Sequence, residues 1–250
     1  GSAIINANGI NRVFSIGYNK NIIINGLTFI NGKTTGNGGA ISFNSGNLTI
    51  INCKFFNNSA DGSGGAIYLR SGNLNISNTS FINNYANEDN GGAVLADNIR
   101  ITHSNFTNNV ADGSGGAIRA YYNLIISDSI FTNNTSIKGQ GGVSYAKNTT
   151  VNNSVFVNNT SINGGGAIYS NVEYLINNSE FIGNKANSDG GAIASYDTGR
   201  IFNSNFTNNS ATSNSAGAAY ARISIEIVNS NFNNKDRKST RLNSSHMTAS

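Results

Sequence analysis

A phenylalanine recurs at Phe29, Phe55, Phe81, Phe106, Phe131, Phe156, Phe181, Phe206 and Phe232, and every step is 25 or 26 residues. A period of that length marks stacked repeats rather than one compact globule, because each unit buries its apolar residues only against its neighbours. Two further landmarks travel with the Phe. Asn stands three residues after it at Asn58, Asn84, Asn109, Asn134, Asn159, Asn184 and Asn209. A Gly-Gly-Ala-Ile motif begins at Gly38, Gly64, Gly115, Gly165 and Gly190, with variants at Gly91 and Gly141, and decays to Ala-Gly-Ala-Ala at Ala216. Its steps run from 24 to 27 residues, so the length variation lies in the loop between the two landmarks.

Within each repeat the apolar positions alternate. Five and seven residues before the Phe stand Ile24 and Ile22, Ile50 and Leu48, Ile76 and Leu74, Ile101 and Ile99, and Ile126 and Leu124. Two residues before it stands a small side chain: Cys53, Thr79, Ser104, Ser129, Ser154, Ser179, Ser204 or Ser230. A period of two means strands with one face in and one out. The Asn and Gly clusters between them tolerate the left-handed conformations of tight turns. Three short strands in a coil of about 25 residues is the pattern of an all-β, right-handed parallel β-helix. The periodicity predicts about nine coils over residues 1–235, stacked at about 4.8 Å into a rod of about 40 Å.

Composition agrees. Charged residues make up only 11% of the chain, about half the usual share, while Asn is close to a fifth of it. Such a chain would read as disordered if its apolar residues were scattered. There is no Pro, which suits a chain whose segments pair on both sides. No apolar run reaches the ~18 residues needed to span a bilayer, and no basic-then-apolar leader is visible. The expectation is therefore a fragment with no direct membrane insertion in this segment. The single Cys cannot form an internal disulfide.

The paired landmarks, as in Phe81-Ile82-Asn83-Asn84 followed by Gly91-Gly92-Ala93, resemble the repeats of polymorphic outer membrane proteins. In their Asn- and Ile-rich form they closely resemble the adhesin-like proteins of methane-producing archaea. The resemblance covers about residues 1–235. It implies a pectin lyase-like β-helix, surface display and adhesion, and it brings no catalytic residues.

From Asp236 the pattern stops. Residues Asp236 to His246 read DRKSTRLNSSH and resemble, codon by codon, a translated sequencing adapter. Residues 236–250 are accordingly expected to be a non-native, disordered tail, excluded from fold reasoning. Arg237, Lys238 and Arg241 against Asp236 account for +2 of the formal net charge of +4. Without them a nucleic-acid partner has little electrostatic support.

Four groups of residues are candidates for chemistry. His103 occupies the slot, three before the Phe, that holds Asn52, Asn78, Asn153, Asn178 and Asn203 elsewhere, and is expected to substitute for Asn in a turn. Cys53 fills the Ser/Thr column as a buried small residue. Asp61, Glu88 and Asp112 each stand five residues before the third position of the GGAI motif. Stacked in one column, with Asp89 beside it, their hard oxygen ligands would suit Ca²⁺; the plainer reading is a turn Asp before Gly. Two residues after that same position stand Ser42, Tyr68, Leu95, Arg119, Tyr145, Tyr169, Ala194 and Tyr220. Since Ile67, Ile118 and Ile168 point inward, this column points outward, and Tyr68, Arg119, Tyr145 and Tyr169 form a tentative ligand-binding side. The plainer reading is strand-favouring surface Tyr. The column after the Phe, from Ile30 and Phe56 to Thr207, makes a second outward strip. Asn-x-Ser/Thr triplets such as Asn47, Asn75, Asn105, Asn148 and Asn205 permit glycosylation.

Three functions compete. The first is a non-enzymatic adhesin-like stalk that binds surface glycans or proteins of a host or neighbouring cell. The second is a polysaccharide lyase or glycoside hydrolase on the same scaffold, disfavoured because no basic residue shares the acidic column. The third is a pure spacer. No catalytic residue and no obligate cofactor are expected.

Overall fold

The computed structural model describes residues 3–213 and 216–234; the tail at 236–250 lies outside them. The chain is an all-β parallel solenoid of three sheets, and every paired strand is parallel to its neighbour. One ten-stranded sheet carries the Phe column, from Ala3–Asn6 to Asn231–Asn233. An eight-stranded sheet of two-residue strands follows the Phe strands from Phe29 to Phe206. A fourteen-stranded path carries the GGAI and Ile segments. The expected three strands per coil hold in part. In four coils the last two fuse into one long strand, as in Ile41–Ile51 and Ile67–Ser77. In others they stay separate, as in Ile118–Ala120 and Asn123–Ser127. Among the described residues, no helix is long and apolar enough to cross a membrane.

Registry repeats coil after coil: Phe55 pairs with Phe81, Phe81 with Phe106, and so on to Phe206 with Phe232. The rings form one stack with centroids 4.6–5.2 Å apart and planes within 17° of parallel. That spacing is the strand spacing, so backbone pairing dictates the ring separation and the rings offset within it. Phe29 to Phe206 are fully buried, while Phe232 in the last described coil is only half-buried. Each buried Phe contributes roughly 1.5–3 kcal/mol.

Two left-handed corners flank each Phe strand from Phe29 to Phe206. Among the described residues, the non-glycine positions with positive φ are all Asn except His103 (φ 47°) and Asp128 (φ 51°). His103 thus takes the corner expected of it. Gly115, first of its GGAI motif, has φ 69°, and a Cβ on Gly116 would overlap the Gly142 carbonyl oxygen of the next coil. The motif therefore needs its first Gly for conformation and its second for close coil-to-coil approach.

Two buried polar ladders run beside the Phe stack. Asn134 is fully buried. Its Oδ1 accepts from the Asn109 backbone N–H and the Asn109 Nδ2, both at 3.0 Å. Its Nδ2 donates to the Phe106 carbonyl at 2.9 Å and to Asn159 Oδ1 at 3.0 Å. The Asn column repeats this from Asn58 to Asn209. In the Ser/Thr column each hydroxyl accepts from the preceding coil, as Ser104 Oγ does from Thr79 N–H at 3.2 Å, and donates to its own corner carbonyl. Cys53 is buried there and donates from Sγ to the Ile51 carbonyl at 3.1 Å.

Candidate functional site

The strand after GGAI sets the candidate side. Its burial alternates, with Ile67 inside, Tyr68 half-buried and Leu69 inside. Parallel pairing then aligns Tyr68 with Leu95, Leu95 with Arg119, Arg119 with Tyr145, and Tyr145 with Tyr169. All four candidate residues are half-buried rather than fully exposed, and Leu95 and Ala194 are buried.

The structure brings three of the four into contact. The Arg119 guanidinium lies 4.0 Å from the Tyr145 ring centroid, and the Tyr145 and Tyr169 rings stack at 5.4 Å and 3°. Arg119 Nη1 donates to the Tyr145 and Ala120 carbonyls at 3.3 and 3.4 Å. Tyr145 OH donates to Asn171 Oδ1 at 2.8 Å. Burial lowers the Arg119 pKa and raises those of Tyr68 and Tyr169. Because Tyr145 lies between Arg119 and Tyr169, it offers a ligand its edge and hydroxyl.

More exposed rings come from residues that the sequence reading passed over. Tyr121 and Tyr122 are 44% and 53% exposed, and Arg119 lies 5.1 Å from the Tyr121 centroid. Tyr196 is 53% exposed, with Arg222 over its ring at 4.4 Å. Tyr121 and Tyr196 stand two residues beyond Arg119 and Ala194, so the same alternation that selected the first column also points to a second.

The expected acidic column does not form. Hydrogen bonding aligns Asp61 with Asn87 and Asn87 with Asp112, since the Asn87 N–H donates to the Ala60 carbonyl and the Asp112 N–H to the Ala86 carbonyl. Glu88 therefore sits one position out. The misalignment came from counting back from GGAI, across the loop whose length varies. Asp112 accepts from Tyr85 OH at 2.9 Å and pairs with Lys138 at 2.6 Å. Asp89 accepts from Ser63 Oγ at 2.6 Å and from Asn90 Nδ2. Among the described residues, no group of three or more His, Cys, Asp or Glu side chains is placed to hold a metal ion.

The Chlamydia polymorphic membrane protein repeat matches this chain at residues 52–70, 103–121, 153–171 and 178–196. Each match starts at a left-handed corner (Asn52, His103, Asn153 or Asn178), takes in the Phe, the buried Asn and the Gly-Gly loop, and ends on the outward side at Arg70, Tyr121, Asn171 or Tyr196. No curated protein and no solved structure matches the chain. The chain is thus a β-helix of polymorphic outer membrane protein-type repeats, a repeat class that points to a cell-surface, adhesin-like protein.

Proposed function

We propose that this solenoid is a non-enzymatic surface stalk and that its Tyr68–Arg119–Tyr145–Tyr169 side, widened by Tyr121 and Tyr122, binds glycans of a host or neighbouring cell. The observation that carries the reading is the Arg119 guanidinium held 4.0 Å over Tyr145, which itself stacks on Tyr169. A side chain ordered before its ligand arrives loses less entropy on binding, and Tyr and Arg dominate binding hot spots. Tyr121 and Tyr122 supply flat apolar faces for a sugar ring, and Arg119 supplies fixed donors. Each site is weak, so adhesion relies on many copies acting together. Ca²⁺ has no part in this reading.

A glycan array tests it. Binding lost in Tyr145→Ala with Tyr169→Ala supports the site; binding that survives the pair removes it, and no binding at all favours a spacer. Incubation with pectin or alginate is expected to release no product; turnover abolished by Asp112→Asn would establish an enzyme instead.

A further inference from the structure

The outer face of the Ile strands carries a third Asn ladder. Asn47 Nδ2 donates to Asn21 Oδ1, Asn73 to Asn47, Asn98 to Asn73, Asn123 to Asn98 and Asn148 to Asn123, at 2.8–3.2 Å. It stops where Asn148 pairs with Glu173. Unlike the buried ladder, this one lies at the surface and is half-used. Each interior amide spends one N–H and one oxygen lone pair on its neighbours. The second N–H and the second lone pair meet no other group among the described residues.

The ladder residues Asn47, Asn73, Asn98 and Asn123 line a shallow groove of about 400 Å³, where they are joined by Asn75, Arg100 and Ile125. The groove thus presents a donor and an acceptor at every coil, an outward Ile for apolar contact and a guanidinium with no salt-bridge partner among the described residues. The repeat along the axis is the strand spacing, about 4.8 Å. A ligand that matches it must be straight, must repeat at nearly that interval and must carry both donors and acceptors.

We propose that this groove binds an extended, neutral, β-1,4-linked polysaccharide lying along the solenoid axis. Hydroxyls of successive sugars alternate between donating to Oδ1 and accepting from Nδ2, while Ile125 packs on a ring face and Arg100 donates to hydroxyls. The site shares the surface-stalk reading and follows the Tyr–Arg column along the same sheet, but it uses none of that column's side chains, so either can fail alone.

Pull-down of the whole chain on microcrystalline cellulose and on chitin, with amylose as a coiled control, tests it. Retention on cellulose or chitin, weak on amylose, is expected to drop at least tenfold in Asn73→Ala with Asn98→Ala and to stay unchanged in Tyr145→Ala with Tyr169→Ala. Should the Ala pair melt early, Asn98→Gln keeps the amide but moves it out of register and is expected to give the same loss. No retention on either polymer, retention that survives the ladder variants, or retention lost only in the Tyr variants would overturn the proposal.

Discussion

Asn does three jobs here, and position within the coil decides which. At the corners it takes positive φ, in the core it forms a saturated ladder, and on the outer face it forms a half-used one. Asn134→Ala removes partners from Asn109, Phe106 and Asn159 together. At roughly 1–3 kcal/mol for each buried group left unpaired, the loss is expected to reach several kcal/mol in urea unfolding. A loss comparable to that of a surface substitution would show the ladder to be ornamental. Tyr174 inverts the argument. It replaces Leu124 and Thr149 in the core column, is fully buried, and its hydroxyl finds no partner; burial drives its pKa far up. Gly199 of the next coil makes room for it, since a Cβ there would overlap the Tyr174 ring. Tyr174→Phe is therefore expected to leave stability equal or higher, and Gly199→Ala to lower it unless Tyr174 is also shortened to Leu. The Phe and Asn columns were legible because identical residues recur. The Thr149–Tyr174–Gly199 trade was not, because compensation between coils leaves no period.

Among the elements, the Gly-Gly loop is the least tolerant. Gly116→Ala would drive a Cβ into the Gly142 carbonyl, where backbone rather than a flexible side chain must yield. A Gly→Ala change at a compatible site stabilises by ~0.4–1 kcal/mol, whereas this one is expected to destabilise by more than that, read as a lower melting temperature. The variable stretch before this loop also shows where sequence reasoning runs out. The left-handed corner at His103 was readable from its slot, but the acids were not, because one extra residue shifts Glu88 out of the column that Asp61 and Asp112 share with Asn87. What forms instead is an Asp112–Lys138 pair, with Tyr85 donating as well. The Lys138 ammonium, aided by that hydroxyl, holds the Asp112 carboxyl below the usual carboxylate range. A depressed folded pKa stabilises above the unfolded value of about 3.9, and that stability is lost as pH falls through the folded value. The melting difference between the full chain and Lys138→Ala should thus be present at neutral pH, shrink with added salt and vanish in strong acid. A difference that grew on acidification would contradict the pairing.

At the scale of the whole rod, each coil touches only the coils beside it, so stability is nearly a sum of coil and interface terms. The candidate binding face was the least legible part of the molecule. Its residues vary from coil to coil, and only pairing shows that Arg119, Tyr145 and Tyr121 converge. The core follows a simpler rule, and position along the axis then decides what a core substitution does. Phe131 is fully buried, with its ring stacked on Phe106 at 5.2 Å and on Phe156 at 4.8 Å. Phe131→Ala is expected to cost roughly 3–5 kcal/mol and to weaken two interfaces at once. Phe232 is half-buried and stacks on Phe206 alone among the described residues, so Phe232→Ala should cost less and act locally. Amide hydrogen exchange separates the two. The end substitution should speed exchange mainly in Asn205–Thr207 and Asn231–Asn233. The central one should raise it across the coils on both sides of Phe131, because a broken interface there divides the stack into two shorter rods that fray independently. Equal, uniform acceleration by both variants would mean that the solenoid opens as one cooperative unit and that the nearest-neighbour description fails.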